Sequence, residues 1–231
     1  MKVPAEKHDL RLMREMFGRI APHYDFVSRA FSYGMDRRWK QYGVERASLA
    51  ENAVVLDLAS GSGDFARIVL DRLPRGRAVA VDVSEHMLQR AREHGVKEIA
   101  CADVATLPFP SDSFQAVLIG YGLRNFPDLE AAIREIKRVT RPGGKILTLD
   151  FFLPANRILR WIYIAYLYAN GVFWGILLDR RPRTFTYIPH SLRTFLSIDE
   201  LSSLLRHVGY DHVESQSHIF GGIGLHWAVK R

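Results

Sequence analysis

The chain has 231 residues, 48% of them hydrophobic, with a single cysteine and a formal net charge of +7 at pH 7. That length fits one well-filled domain, and one cysteine excludes an internal disulfide and a cysteine-built metal site, which points to a reducing cytoplasm. The basic balance, with pI near 9.7, invites an anionic partner, either nucleic acid or a lipid surface. Its charges divide into a cluster at Arg37, Arg38 and Lys40 and a set at Arg157, Arg160, Arg180, Arg181 and Arg183 that brackets an apolar segment. The second set brackets that segment instead of forming a patch with exposed stacking aromatics, and nucleic acid is not expected as a partner. Residues 1–14 mix charges with no apolar run, against a secretory signal.

Leu10, Met13, Phe17 and Ile20 recur at helical spacing, so an amphipathic helix opens the chain. The apolar run Ala53-Val54-Val55 begins a buried strand over residues 54–58. From it, Leu56-Asp57-Leu58-Ala59-Ser60-Gly61-Ser62-Gly63-Asp64 turns into a helix over residues 64–73. Gly61 and Gly63 supply backbone angles closed to bulkier residues, and the helix presents free N–H groups to the turn, the arrangement of a nucleotide-cofactor loop. A second buried strand, residues 78–83, carries Asp82 about twenty residues past the first glycine, where a carboxylate accepts hydrogen bonds from a ribose. These features point to an adenosine-containing cofactor. Gly61-Ser62-Gly63-Asp64-Phe65-Ala66 also fits the dinucleotide pattern, so its identity stays open at this point.

A helix begun by Ser84 closes near Gly95, and residues 96–101 form a third strand whose last residue, Cys101, is expected to be a buried structural thiol. Residues 114–120 form the fourth strand. A helix over residues 128–140, the Pro142-Gly143-Gly144 turn and a fifth strand over residues 145–151 follow. Residues 161–178 are eighteen in a row without a charge, long enough to register as a membrane span. Spanning would strand the last elements of the same sheet on the far side, however. Four tyrosines or tryptophans in the first eight positions, with Asn170 and Gly171, suggest an interfacial surface, and an ordinary buried core helix is the alternative. Ser197-Ile198-Asp199-Glu200 then matches a capping box for a helix carrying Leu201, Leu204, Leu205 and Val208, with Gly209 as its stop. Two final strands, residues 212–217 and 225–230, have a link too short for a parallel crossover and should pair antiparallel. The fold class is thus α/β: a Rossmann-like, doubly wound, mostly parallel sheet with an antiparallel C-terminal strand, plus N-terminal helices and an apolar helical cap. That ending favours a methyltransferase over a dehydrogenase.

Tyr24-Asp25 with Ser32-Tyr33-Gly34-Met35-Asp36-Arg37-Arg38-Trp39-Lys40, the loop from Asp57 to Asp64, Leu107-Pro108-Phe109 and Gly122-Leu123-Arg124-Asn125 carry a family likeness. So do Arg138-Val139 before Pro142-Gly143-Gly144, Tyr187-Ile188-Pro189 with Ser191, and the closing Gly224-Leu225-His226. Together they resemble the ubiquinone/menaquinone biosynthesis C-methyltransferase (UbiE) family over nearly the whole chain. The loop and the turn occur in many methyltransferases, whereas the N-terminal motif and Gly122-Leu123-Arg124-Asn125 are much more specific. There are departures. Asp36 stands where the family usually has histidine, Val27-Ser28 replaces Met-Asn, Ser60 takes a glycine position, and Asp150-Phe151-Phe152 replaces Glu-Phe-Ser.

The resemblance implies one methyltransferase domain across residues 1–231, with a helical region at 1–50 and an apolar cap at 155–190 inserted in the fold. It implies S-adenosyl-L-methionine as cofactor, bound by Asp57, Ala59, Gly61, Ser62 and Gly63 of the loop, by Asp82 and Val83 at the ribose, by Asp103 and Val104 at the adenine, and by Gly120, where the backbone passes close. It further implies C-methylation of a polyprenylated quinol ring, demethylmenaquinol or the equivalent ubiquinone precursor. Arg124 would stabilise a developing phenolate or orient a water, with Tyr24 and Asp150 positioning or relaying the proton. The cap would receive the polyprenyl tail and touch the inner face of the membrane from the cytoplasm; a homodimer is left open. Rival readings are an enzyme for another lipid or a polycyclic natural product, a nucleic-acid methyltransferase, and a subunit that holds cofactor without turnover.

Overall fold

The computed structural model describes residues 10–182 and 184–231. The expectation for residues 1–9, the Leu10 side chain and the placement of Arg183 lie outside the described residues. Helices α1 (Leu10–Ile20), α2 (Tyr24–Phe31) and α3 (Asp36–Ala47) come first, followed by β1 (Val54–Leu58), α4 (Asp64–Arg72), β2 (Arg77–Asp82), α5 (Glu85–Glu93), β3 (Glu98–Cys101) and β4 (Phe114–Gly120). The second half comprises α6 (Leu129–Val139), β5 (Thr140–Phe151), α7 (Arg157–Asp179), α8 (Tyr187–Leu192), α9 (Ile198–His207), β6 (Tyr210–His218) and β7 (Ile223–Lys230).

Local chemistry explains where the helices begin. The Ser84 hydroxyl accepts the Met87 N–H and starts α5. The Asp128 carboxylate accepts the Ala131 N–H at 2.9 Å and starts α6. Ser197 and Glu200 exchange the two bonds of a capping box at α9, as their spacing predicts.

The strands run in the order β3-β2-β1-β4-β5-β7-β6. Only β7 runs antiparallel to its neighbours, pairing with β5 on one side and β6 on the other. Side chains alternate across the sheet. Val55 and Leu118 point into a layer built with α4 and α5 and the N-terminal helices, while Leu56 and Val117 point into a layer built with α6 and α9. The sheet is therefore covered on both faces, and its order reverses between β1 and β4. In doubly wound sheets, ligands bind beyond the carboxyl ends of the strands at that reversal.

Four expectations need correction. Strand β5 starts before residue 145: Thr140 pairs with Phe114 and the next pair is Ala116 with Lys145, so Pro142-Gly143-Gly144 bulges out of the strand, with Gly143 at φ +73°. Cys101 is exposed, because β3 is the edge strand and its last residue emerges from the sheet. Lys40 separates from Arg37 and Arg38: those two are exposed, whereas Lys40 is buried between two carboxylates. Gly171, read with Asn170 as part of an interfacial surface, is turned inward instead. Gly171 and Gly175 of α7 lie against the backbone of residues 181–186, where a Cβ would come within 3.1 Å of Phe185 and closer still to Arg181. These glycines serve packing, and Tyr163 on the same helix is buried against Gly222.

Candidate active site

A solvent-open cleft lies at the reversal point. Its walls come from the residues that follow β1, β2, β3 and β4, together with α1, α2 and α8. Two of these residues are strained. Ala59 (φ +52°) follows β1 and Tyr121 (φ +60°) follows β4, both in the left-handed region that side chains other than glycine seldom adopt. Such strain persists only where surrounding structure imposes it, and it clusters at ligand sites.

The loop is fastened from both sides. The Ser60 N–H donates to the Val81 carbonyl at 3.0 Å. The Gly61 N–H donates to Asp82 Oδ2 at 2.9 Å, and Asp82 Oδ1 accepts the Ser84 N–H at 2.9 Å. Burial raises the Asp82 pKa although these amides oppose it. Gly61 and Gly120 make room where the chain is crowded: a Cβ at Gly61 would lie 3.1 Å from the Tyr24 ring, and one at Gly120 3.1 Å from the Phe65 ring. Asp103 accepts the Ala105 N–H at 3.0 Å and lines the cleft with Val83 and the buried Val104.

Asp57 supports the turn from below, the part expected of it, and Ser62 and Gly63 join it behind the cleft instead of facing the ligand. Asp57, buried under the turn, accepts the Ala66 N–H at 2.8 Å, and burial pushes its carboxyl up to about 8. The Ser62 hydroxyl donates to Asp25 Oδ1 at 2.5 Å. Gly63, at φ +82°, lets α4 pack on α5, since a Cβ there would sit 3.0 Å from Ala91 Cβ and Val96 Cγ2. A smaller recess behind the loop is lined by Asp57 and Ser62 together with Lys40, Asp64 and Tyr24. Lys40 Nζ donates there to Asp36 Oδ2 at 2.9 Å and to Asp64 Oδ2 at 2.8 Å. Asp36, the departure from the family histidine, is thus the buried counter-ion of Lys40.

Arg124, Tyr24 and Tyr187 also line the cleft. Arg124 Nη1 donates to the Tyr121 carbonyl and to Asp150 Oδ1, both at 2.6 Å. Burial works against the guanidinium charge, but Asp150 together with Tyr187 and Tyr24 offsets it and the Arg124 pKa rises. Asp150 is fully buried, also accepts the Phe151 N–H, and does not line the cleft, so its part is to hold Arg124. Burial raises the pKa of both Tyr24 and Tyr187, with Arg124 opposing, so each is a neutral phenol that can donate but not act as a base. No histidine lines the cleft among the described residues.

Sequence reading missed Tyr187, Phe17, Met13 and Phe126, all of which line the cleft. Tyr187 lay inside a quoted motif and Phe17 in a helical stripe, so both were visible; nothing in their spacing said that α1 and α8 fold over the loop. Phe17 stands edge-on to Tyr24 and Tyr187, at centroid distances of 6.5 Å and 6.1 Å.

The sequence model of the ubiE/COQ5 methyltransferase family matches residues 3–230. The chain belongs to the ubiE/COQ5 methyltransferase family. Curated relatives named ubiquinone/menaquinone biosynthesis C-methyltransferase UbiE include one from Pseudomonas putida, 32% identical over 97% of this chain and 91% of its own length. Another, from Desulfotalea psychrophila, is 32% identical over 94% and 90%. Among solved structures, a SAM dependent methyltransferase from Aquifex aeolicus superposes with a TM-score of 0.59 at 16% identity, covering 83% of this chain and 89% of the other. Haemonchus contortus phosphoethanolamine N-methyltransferase 2, in complex with S-adenosyl-L-methionine, gives 0.62 at 15% identity over 84% and 52%. The ubiE/COQ5 member described here is therefore an S-adenosylmethionine-dependent C-methyltransferase with the Rossmann-like fold expected from its sequence.

The residues present fit that cofactor. Strained Ala59 and Tyr121, two glycines without room for a Cβ, two carboxylates for hydroxyl and amino groups, and the apolar Val83, Val104 and Phe126 converge on one cleft.

Proposed function

We propose that the enzyme methylates a ring carbon of a polyprenylated hydroquinone, demethylmenaquinol or the equivalent ubiquinone precursor. The observation that carries this is that Arg124, Tyr24 and Tyr187 line the same cleft as Asp82 and Asp103, with both phenols in the field of the guanidinium. A permanent cation and two neutral phenols, enclosed by Phe17, form a surface for a phenolic ring whose oxygen is gaining negative charge.

S-adenosylmethionine supplies an electrophilic methyl group when bound. Asp82, Val83, Asp103 and Val104 would hold its adenosine half, and the backbone from Ala59 to Gly61 the methionine half. Asp57, Ser62, Gly63 and the buried Lys40 keep the loop in shape from behind. Attack by ring carbon requires an electron-rich ring, so the hydroquinone reacts and the quinone does not. A free phenol has a pKa near 10 and needs help to lose its proton at neutral pH. Arg124 supplies that help by stabilising the phenolate, with water taking the proton, while Asp150 fixes the guanidinium and Tyr24 and Tyr187 donate to the acceptor oxygens. Under this reading residues 1–231 act as one domain.

The test is incubation of purified protein with S-adenosylmethionine and chemically reduced demethylmenaquinol, read by mass for one added methyl group. The expected product is absent with unreduced quinone. Arg124→Lys should lower kcat/KM by about a hundredfold, the scale of losing a positioned oxyanion donor, with cofactor affinity retained. Equal turnover of quinone and quinol, or full activity of the lysine variant, would refute the reading.

A further inference from the structure

We propose that the outward face of α7, with the arginines at its two ends, seats the enzyme on an anionic lipid surface. By length and composition α7 is a helix that could cross a membrane, yet only 22% of its apolar window is buried. Crossing is excluded by the sheet: β5 precedes α7 and β7 follows it, and the two pair in register over residues 145–151. A core helix is excluded as well. Ile158, Trp161, Ile162, Phe173, Ile176 and Leu177 are each between 53% and 74% exposed. With Ala165, Ala169 and Val172 they recur at three- and four-residue steps and fall on one side of the helix, about 28 Å long from end to end. No charged or polar residue interrupts the stripe. Of the four aromatics that open the segment, Trp161 alone faces outward this far; Tyr163 is buried and its hydroxyl donates to the Gly222 carbonyl at 2.9 Å.

The charges name the occupant. Arg157 and Arg160 stand in the first turn, where the helix dipole disfavours cations, and no acidic residue accompanies them. Arg180 and Arg181 are exposed just beyond the other end. A second copy paired through this face by a two-fold axis would lay arginine ends on arginine ends, in either orientation or centred at the middle. A bilayer with acidic headgroups takes the apolar stripe together with Arg157, Arg180 and Arg181 that flank it, while Arg160 lies around the helix from the stripe and donates to the Pro154 carbonyl at 2.9 Å. Two further exposed aromatics flank α7 on neighbouring elements. Phe26 of α2, half exposed, stands edge-on to Trp174 with ring centroids 4.7 Å apart. Phe220, 81% exposed, is held out by consecutive left-handed residues, Ile219 at φ +49° and Phe220 at φ +53°, in the loop that Tyr163 ties to α7.

This placement also serves the cleft. Helices α2 and α8 both pack on α7 and bring Tyr24 and Tyr187 to the cleft wall. A tail leaving the ring site between them would pass straight into lipid; that last step rests on the polyprenyl quinol reading, whereas vesicle binding does not.

The experiment is flotation of the purified full chain with vesicles of phosphatidylcholine alone or with one-third phosphatidylglycerol. Expected is binding to the anionic vesicles that weakens with salt and falls at least tenfold in Trp161→Glu/Phe173→Glu, while that variant keeps the wild-type melting midpoint. Replacing Arg157, Arg180 and Arg181 by glutamine should remove the preference for phosphatidylglycerol. The proposal is overturned if the wild type stays unbound on anionic vesicles, if the glutamate variant floats as well as the wild type, or if sedimentation gives a dimer that the glutamates dissociate. Turnover of a short-tailed quinol in solution, expected to be equal in wild type and glutamate variant, keeps the two readings apart. Its absence in both counts against the acceptor and leaves the vesicle result standing.

Discussion

Asp57→Asn tests whether the cofactor loop rests on a neutral carboxyl. Asp57 is buried and bonded to the Ala66 N–H, and its pKa is held at about 8 instead of the ordinary 3.8. Between pH 5 and 8 the unfolded chain carries this group ionised while the folded protein keeps it protonated. The stabilisation from the protonated carboxyl is intact below the ordinary carboxylate pKa and is lost as pH rises toward 8. At about 1.4 kcal/mol per pH unit, the wild type should lose about 4 kcal/mol over that window from this residue alone. Asparagine copies the neutral form and still offers an oxygen to Ala66, so it removes the pH dependence. Urea unfolding at pH 5, 6, 7 and 8 gives the difference between the two proteins, in which the other buried carboxylates, Asp82 and Asp150, cancel to first order. A difference that stays flat within about 1 kcal/mol from pH 5 to 8 would show that Asp57 is ionised in the folded state and the reasoning wrong.

Gly63→Ala should destabilise the protein by about 2–3 kcal/mol, since the new methyl meets Ala91 and Val96 at 3.0 Å and the backbone sits at φ +82°; an unchanged denaturation midpoint would refute this. Asp150→Asn leaves the buried Arg124 charge without its counter-ion and should cost about 3 kcal/mol or more. It should also lower kcat, read by product mass at saturating cofactor, because Arg124 is no longer held in place.

How much of the site was legible follows from what each residue's partners are. The carboxylate at the end of β2 was visible from a strand, a count of about twenty residues and the chemistry of a ribose. Gly61 was visible because a tight turn restricts backbone angles locally. Ser62 and Gly63 were assigned to the cofactor on the same grounds. Their real partners are Asp25 of α2 and Ala91 of α5, residues distant in sequence that only folding brings near. Lys40 reads as surface charge beside Arg37 and Arg38, and its burial depends on Asp64, 24 residues away. Asp150 was grouped with Arg124 and does meet it, yet from behind the cleft.

The sequence by itself determined the sheet and its covering. Apolar runs of strand length, helix caps and a short final link are local signals, and a right-handed alternation of strand and helix leaves few ways to join them. It also determined that a nucleotide-type loop follows β1, because Gly61 and Gly63 take left-handed angles there with the least strain. Tertiary structure alone decided which of the candidate residues face the ligand and which hold up the loop. It alone decided that α1 and α8 close over the cleft, and that the apolar run on α7 turns its bulk outward. These outcomes depend on which face of an element meets another, and for α7, apolar all round between its arginine ends, periodicity carries no information about facing. The contact of Gly171 and Gly175 with residues 181–186 fixes the rotation, and with it the side left to the solvent or the membrane.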